Sequence, residues 1–116
     1  MWMTSILYLC LFAMVAAVTD AELVERFKSG DRRAFNEITR RYHGKIYGVC
    51  LRWLGHEQVA SEVTQDVFVS AFRALGRFRG DSKLSTWLYR IAINHCKNRK
   101  LYQRRRKTEQ HEAIDK

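Results

Sequence analysis

Proline is absent from this 116-residue chain, and glycine occurs only six times. Little in such a sequence interrupts a helix, so an all-α fold fits better than a sandwich of short strands joined by turn residues. The three cysteines, Cys10, Cys50 and Cys96, make no CxxC pair and no even-numbered framework. They read as reduced thiols in a cytosolic, cytoplasmic protein rather than as disulfide staples. His95 lies beside Cys96, but adjacent helical residues point about 100° apart. A core histidine and a core thiol explain the pair better than a zinc site. There is no Gly-rich phosphate loop, no HExxH and no ordered Ser/His/Asp set. The chain reads as a non-enzyme with no metal and no cofactor.

Basic charge is missing from two stretches. His56 to Asp66 carries Glu57, Glu62 and Asp66 but no Lys or Arg. Met1 to Val18 is almost wholly apolar and has no charged side chain at all. Three readings of that terminus stay open. It is long enough for a marginal transmembrane helix, which would give a membrane tether. As a signal peptide it lacks a basic start, and Val15-Ala16-Ala17 is a poor cleavage site. The third reading is a mis-assigned start, with translation beginning at Val15 or Val18.

What the chain does have is basic charge and helical periodicity. The length admits one domain at most, and 47% hydrophobic residues supply a small core. The net charge is +9, and seven of the eleven residues from Lys97 to Lys107 are basic. Such a run is either a solvated helix end favoured by its own dipole or a surface for nucleic acid or an anionic membrane.

Thr19 and Glu22 have capping-box spacing and open a short helix that ends near Gly30. Asp31 is placed to cap a second helix, whose apolar stripe is Phe35, Ile38, Tyr42, Ile46, Val49, Cys50 and Trp53. Gly44 and Gly48 inside it suggest close helix packing, and Gly55 ends it. A third helix runs from about Glu57 to Leu75, burying Ala60, Val63, Val67, Ala71 and Leu75, with Phe68 and Phe72 on one flank. Gly76 to Lys83 is a loop. A fourth helix starts near Leu84 or Ser85, turns Leu88, Ile91, Ala92 and His95 inward, and presents Arg90, Asn94, Lys97, Leu101 and Arg104 on the opposite side. It is expected to fray beyond Arg106, and the polar composition of residues 108–116 predicts disorder.

The ordered set TQDVF, FRGDS, STWLYRIA and N-x-C-K-N, preceded by LVERFKSGDRRAF and RRYHGKIY, resembles the promoter-melting domain (region 2) of bacterial extracytoplasmic-function sigma factors, a branch of the sigma-70 family. Any single piece is weak; the order carries the likeness. It covers roughly residues 19–107 and implies a compact bundle of about four helices, preceded here by the apolar extension at 1–18. Residues 108–116 would begin the linker to a second helical domain that reads the −35 element. With the chain ending at Lys116, that domain is expected to be missing.

The resemblance also implies partners and roles. Gln65-Asp66-Val67-Phe68 and Ala71-Phe72-Arg73 look like region 2.2, the helix that docks on the β′ clamp helices of core RNA polymerase. Glu62, Gln65, Asp66 and Arg73 share a polar side there, and Phe68 and Phe72 would add apolar contact. The loop Phe78-Arg79-Gly80-Asp81-Ser82-Lys83 corresponds to the one that receives a base flipped from the non-template strand of the −10 element. Read without the family, the same loop is a tight turn with Asp81 or Ser82 as a cap.

The helix after it corresponds to regions 2.3 and 2.4, with Leu84 where Phe is usual. Trp87 is either a wedge at the duplex fork or a buried ring. Asn94, an exposed amide between Arg90 and Lys97, is the leading candidate for reading base edges. Lys97, Asn98, Lys100, Arg104 and Arg105 would hold phosphates. Two functions follow: a transcription-initiation module, or a sigma-like decoy that occupies polymerase or an anti-sigma factor.

Overall fold

The computed structural model describes residues 2–115. Among them are five α-helices and one short 3-10 turn: α1 (Trp2–Ala17), α2 (Asp20–Lys28), α3 (Arg33–Leu54), α4 (Glu57–Ala74), the turn Leu75–Arg77, and α5 (Leu84–Asp115). Met1 and Lys116, the outermost residues of the two predicted terminal segments, lie outside the described residues.

Local chemistry sets most of the boundaries. The Thr19 hydroxyl accepts the Glu22 amide at 3.2 Å and opens α2. Gly55 closes α3 in the left-handed conformation, at φ +68°. Asp31 acts one residue away from its expected place. Arg32 occupies the cap position with helical backbone angles, and the Asp31 carboxylate accepts the Arg33 amide at 3.1 Å.

The expected stripes form one core. Phe35, Ile38, Tyr42, Ile46 and Cys50 of α3 meet Ala60, Val63, Val67 and Ala71 of α4 and Leu84, Leu88, Ala92 and Cys96 of α5. Leu23 and Val24 of α2 close one side. Val49 and Trp53 are only half-buried, at the edge of the α3 stripe. Among the described residues the one buried polar side chain, Thr64, donates to the Ala60 carbonyl at 2.6 Å, so its burial leaves no orphan hydroxyl. Burial, and then the facing Cys50 thiol, push the Cys96 thiol up to about 12, so both are packing groups. No group of three or more His, Cys, Asp or Glu among the described residues is arranged to hold a metal.

Three expectations need correction. Gly44 and Gly48 face no neighbouring helix, since a Cβ at either would meet no heavy atom within 4 Å. The last turn of the Glu57–Leu75 segment tightens into the 3-10 turn, so the loop proper begins at Phe78. The final helix does not fray after Arg106. It runs on to Asp115 because no Gly or Pro follows Gly80. Side-chain bonds brace the overrun, from Arg106 to the Tyr102 hydroxyl at 3.2 Å and from Thr108 to the Arg104 carbonyl at 3.0 Å.

The apolar segment at the start forms α1, which is apolar on every side. Among the described residues no helix is long and apolar enough to cross a membrane. The 16 residues of α1 extend roughly 24 Å at 1.5 Å per residue, short of a hydrocarbon core of about 30 Å.

Candidate functional site

Three surfaces carry the predicted residues. The first lies on α4. Glu62, Gln65, Asp66 and Arg73 are exposed on it, as their spacing implied. Phe68 is not available to a partner. It is only 7% exposed and packs edge-on against Phe35 (6.5 Å) with the His43 ring stacked over it at 5.9 Å. A flanking aromatic in a four-helix core is drawn inward because burial removes its whole ring from water. Phe72 is 37% exposed, held by Phe27 and Phe35 at 5.5 and 5.2 Å and covered in part by the Arg32 guanidinium at 5.8 Å. Val69 is half-exposed on the same helix. Sequence reasoning passed over it, although a bulky aliphatic off the buried stripe was the available signal.

The α4 carboxylates have a partner that the sequence did not disclose. Arg99 of α5 reaches Glu62 at 3.2 Å and Asp66 at 3.9 Å. Both acids are more than half exposed, so this is a surface pair of modest strength.

The second surface is the loop. Gly80 has φ +78°, a conformation that glycine adopts without a Cβ penalty. Lys28 of α2 donates its ammonium to the Phe78 carbonyl and ties the loop back to the bundle. Phe78 and Trp87 are half-buried against each other, with ring centres 5.2 Å apart. Trp87 is thus neither fully buried nor fully exposed: part of its ring packs on Phe78 and part is open.

Two hollows flank the loop. On the α5 side is a cleft of about 250 Å³, between Arg79, Asp81, Ser82, Trp87 and Arg90. On the α2 side is a cavity of about 510 Å³, walled by Val24, Lys28, Tyr42, Gly80, Ser82 and Lys83. The larger one is within the ordinary range for small-molecule sites, ~300–1,000 Å³.

Asp20 and Tyr42, which also line it, belong to a polar network that extends away to Glu37, Arg40 and Arg41. Tyr42 donates its hydroxyl to Asp20, and Arg41 bonds Asp20 at 3.2 Å and Glu37 at 3.1 Å. Arg40 closes on Glu37 at 2.7 Å. Burial, aided by the bond to Asp20, pushes the Tyr42 phenol up to about 12. The hydrogen bond from Arg40 outweighs burial and holds the Glu37 carboxyl below its ordinary range.

The third surface is the outer face of α5. Arg90, Asn94, Lys97, Asn98, Leu101, Arg104 and Arg105 are all exposed along it. Lys100 departs from the expectation. It is half-buried, with its ammonium 5.3 Å over the Trp53 ring, because its helical position turns it toward α3. Between α4 and α5 runs a groove of about 650 Å³. Trp87, Arg90, Asn94 and Lys97 line it together with two residues outside the prediction, Ser70 and His95. Their Oγ and Nε2 atoms lie 2.8 Å apart.

The Sigma-70 region 2 family profile matches residues 38–106 of this chain. The chain belongs to the sigma-70 region 2 family. Among curated proteins it is 49% identical over 85 residues to the RNA polymerase sigma-H factor of Pseudomonas aeruginosa, covering 73% of this chain and 44% of that protein. It is 45% identical over 93 residues to the ECF RNA polymerase sigma-E factor of Escherichia coli, covering 80% and 48%. It thus spans about half the length of the curated relatives it matches. Among solved structures it superposes on an engineered region 2 of sigmaE in complex with GTAAAA, at TM-score 0.70 and 44% identity, covering 77% of this chain and 93% of that one.

In this sigma-70 region 2 chain the three surfaces stay separate. Arg99 ties the acid side of α4 to the α4-facing side of α5, away from the cationic outer face, and the loop cavity lies at the start of α5.

Proposed function

We propose that this chain is a transcription-initiation module that binds core RNA polymerase through α4 and captures the non-template strand of a promoter −10 element on the loop and α5. One observation supports this most. An uncharged amide, Asn94, stands exposed between Arg90 and Lys97 on a helix that begins at a cavity-bearing loop. The cations serve as phosphate anchors and Asn94 as the base reader. An unstacked base enters the α2-side cavity, which Gly80, Asp20 and Tyr42 help to line. The solved sigmaE region 2 with its GTAAAA partner is a precedent for strand binding on this fold.

On α4, Glu62 and Asp66 engage basic groups of the β′ clamp helices while Val69 and the exposed edge of Phe72 supply apolar area. An anti-sigma factor would regulate the chain by covering these same surfaces, and the compartment of action is that of the polymerase, the cytoplasm.

The test is fluorescence anisotropy of labelled six-nucleotide strands with the 116-residue chain, with and without core polymerase. Sequence-selective binding that the chain shows by itself, that core polymerase strengthens and that Asn94→Ala weakens at the position it reads is the expected result. Asp66→Arg should abolish polymerase binding in a pull-down while leaving the helical signal intact. Polymerase binding without strand selectivity would replace this reading with that of a decoy.

A further inference from the structure

Resting on the strand-capture reading, we infer that the groove between α4 and α5 is a second base-reading site, distinct from the loop cavity, in which the Ser70–His95 pair acts beside Asn94. The groove, about 650 Å³, is larger than the loop cavity at about 510 Å³ and shares none of its lining residues. Beside the apolar Ala74, Ile91 and Ile93, its walls carry three kinds of recognition chemistry. Arg90 and Lys97 supply fixed positive charge, Trp87 supplies an aromatic face, and Ser70, Asn94 and His95 supply hydrogen-bonding groups. No carboxylate lines it. A ligand that uses all three kinds is an anionic chain bearing flat, hydrogen-bonding rings, which is single-stranded nucleic acid.

Asn94 and His95 are neighbours in sequence, yet their side chains diverge by about 100° around the helix. Asn94 is exposed and His95 is half-buried toward Ser70 of α4. Consecutive residues thus form the rim and the inner wall of one groove. The 2.8 Å contact fixes the ring edge and leaves the pair adaptable. If Nε2 carries the proton and donates to Oγ, the serine hydrogen is free to donate and the other ring nitrogen accepts. If the serine donates to Nε2, the other ring nitrogen carries the proton and Oγ keeps its acceptor capacity. Either arrangement presents one donor and one acceptor, the complement of a base edge. By periodicity alone His95 faces the core, and nothing in the pattern gives Ser70 a role.

The experiment measures affinity for a panel of six-nucleotide strands that samples all four bases at every position. The full chain is compared with Ser70→Ala and His95→Phe, the latter keeping a ring of similar size. Both variants should flatten the base preference at one position by about tenfold, within the range expected for a lost base-edge contact. That position should coincide with, or adjoin, the one that Asn94→Ala affects, and preference at the flipped base should persist. A uniform loss across all positions, or an unchanged profile, would overturn the inference and leave a purely structural tie between α4 and α5. A wild-type chain with no strand selectivity would overturn the strand-capture reading itself. Should either variant melt, the His95 imidazole resonances of the wild type decide. They must shift in saturable fashion as strand is added, and a ring that stays still while the loop resonances move counts against the groove.

Discussion

Arg99 is the residue at which the two halves of the proposed function meet. It lies nine positions after Arg90, which is about half a turn away around α5. It therefore points away from the strand-reading face and toward α4, where it engages Glu62 and Asp66. Those carboxylates are the groups proposed to meet basic side chains of the polymerase. Arg99 competes with that partner for the same charges and also adds a like charge to the approaching surface. Removing it should strengthen docking. Exposed ion pairs are worth about 0.2–1 kcal/mol, so Arg99→Gln is expected to raise polymerase affinity about two- to fivefold. The gain should shrink as salt rises, because both the pair and the repulsion are screened. Titration of core polymerase with labelled wild-type and variant chains checks this; an unchanged or weaker affinity would show that Arg99 instead holds the carboxylates in place for the partner.

The loop between α4 and α5 is where a local backbone feature should separate stability from function. Gly80 sits at φ +78° with no heavy atom within 4 Å of a built Cβ. Gly80→Ala thus meets a conformational penalty and no clash, about 1–2 kcal/mol if the left-handed geometry is kept. For a domain of this size that corresponds to a fall in melting temperature of about 4–10 °C. The loop can avoid the cost by changing shape, which deforms the cavity. Strand capture should then drop more than tenfold while polymerase affinity stays level; equal losses in both would place the effect in the whole bundle. Gly80 also shows what was legible in the sequence. Caps, stops and stripes depend on neighbours three or four residues away, and Thr19, Gly55, Leu84 and the α3–α4–α5 core were readable for that reason. The paired charges were not. Asp20 meets Arg41 and Tyr42 across 21 and 22 residues, and Glu62 meets Arg99 across 37. Such partners follow from how helices pack, which periodicity does not specify. Phe68 and Phe72 illustrate the same limit. Both lie on the flank of one stripe, but only the packing of Phe35 and His43 decides that Phe68 is covered while Phe72 keeps an open edge.

At the scale of the molecule, charge and shape are arranged along one long axis. The chain extends 71 Å in its longest direction and 20 Å in its shortest, with α1 apolar on every side and α5 carrying cations far beyond the core. Binding to an anionic strand should therefore be governed by how many of those cations share one face. Arg90, Lys97, Arg104 and Arg105 are exposed on the reading side of α5, whereas Lys100 is engaged with Trp53 and Arg99 with α4. Single-stranded DNA releases about 0.7 counterion per neutralised phosphate, so four contacts give a slope of log affinity against log salt of roughly −3. Phosphate and base contacts then come apart on substitution. Arg104→Ala should make the slope shallower by about 0.7 and weaken all strands alike, since a phosphate contact carries no sequence information. Asn94→Ala should leave the slope where it was and flatten discrimination at the base position it reads. Anisotropy titrations at four or more salt concentrations separate the two. A slope near −1 in the wild type would mean that the extended part of α5 stands clear of the strand, whereas one much steeper than −3 would bring Arg106 and Lys107 into the contact.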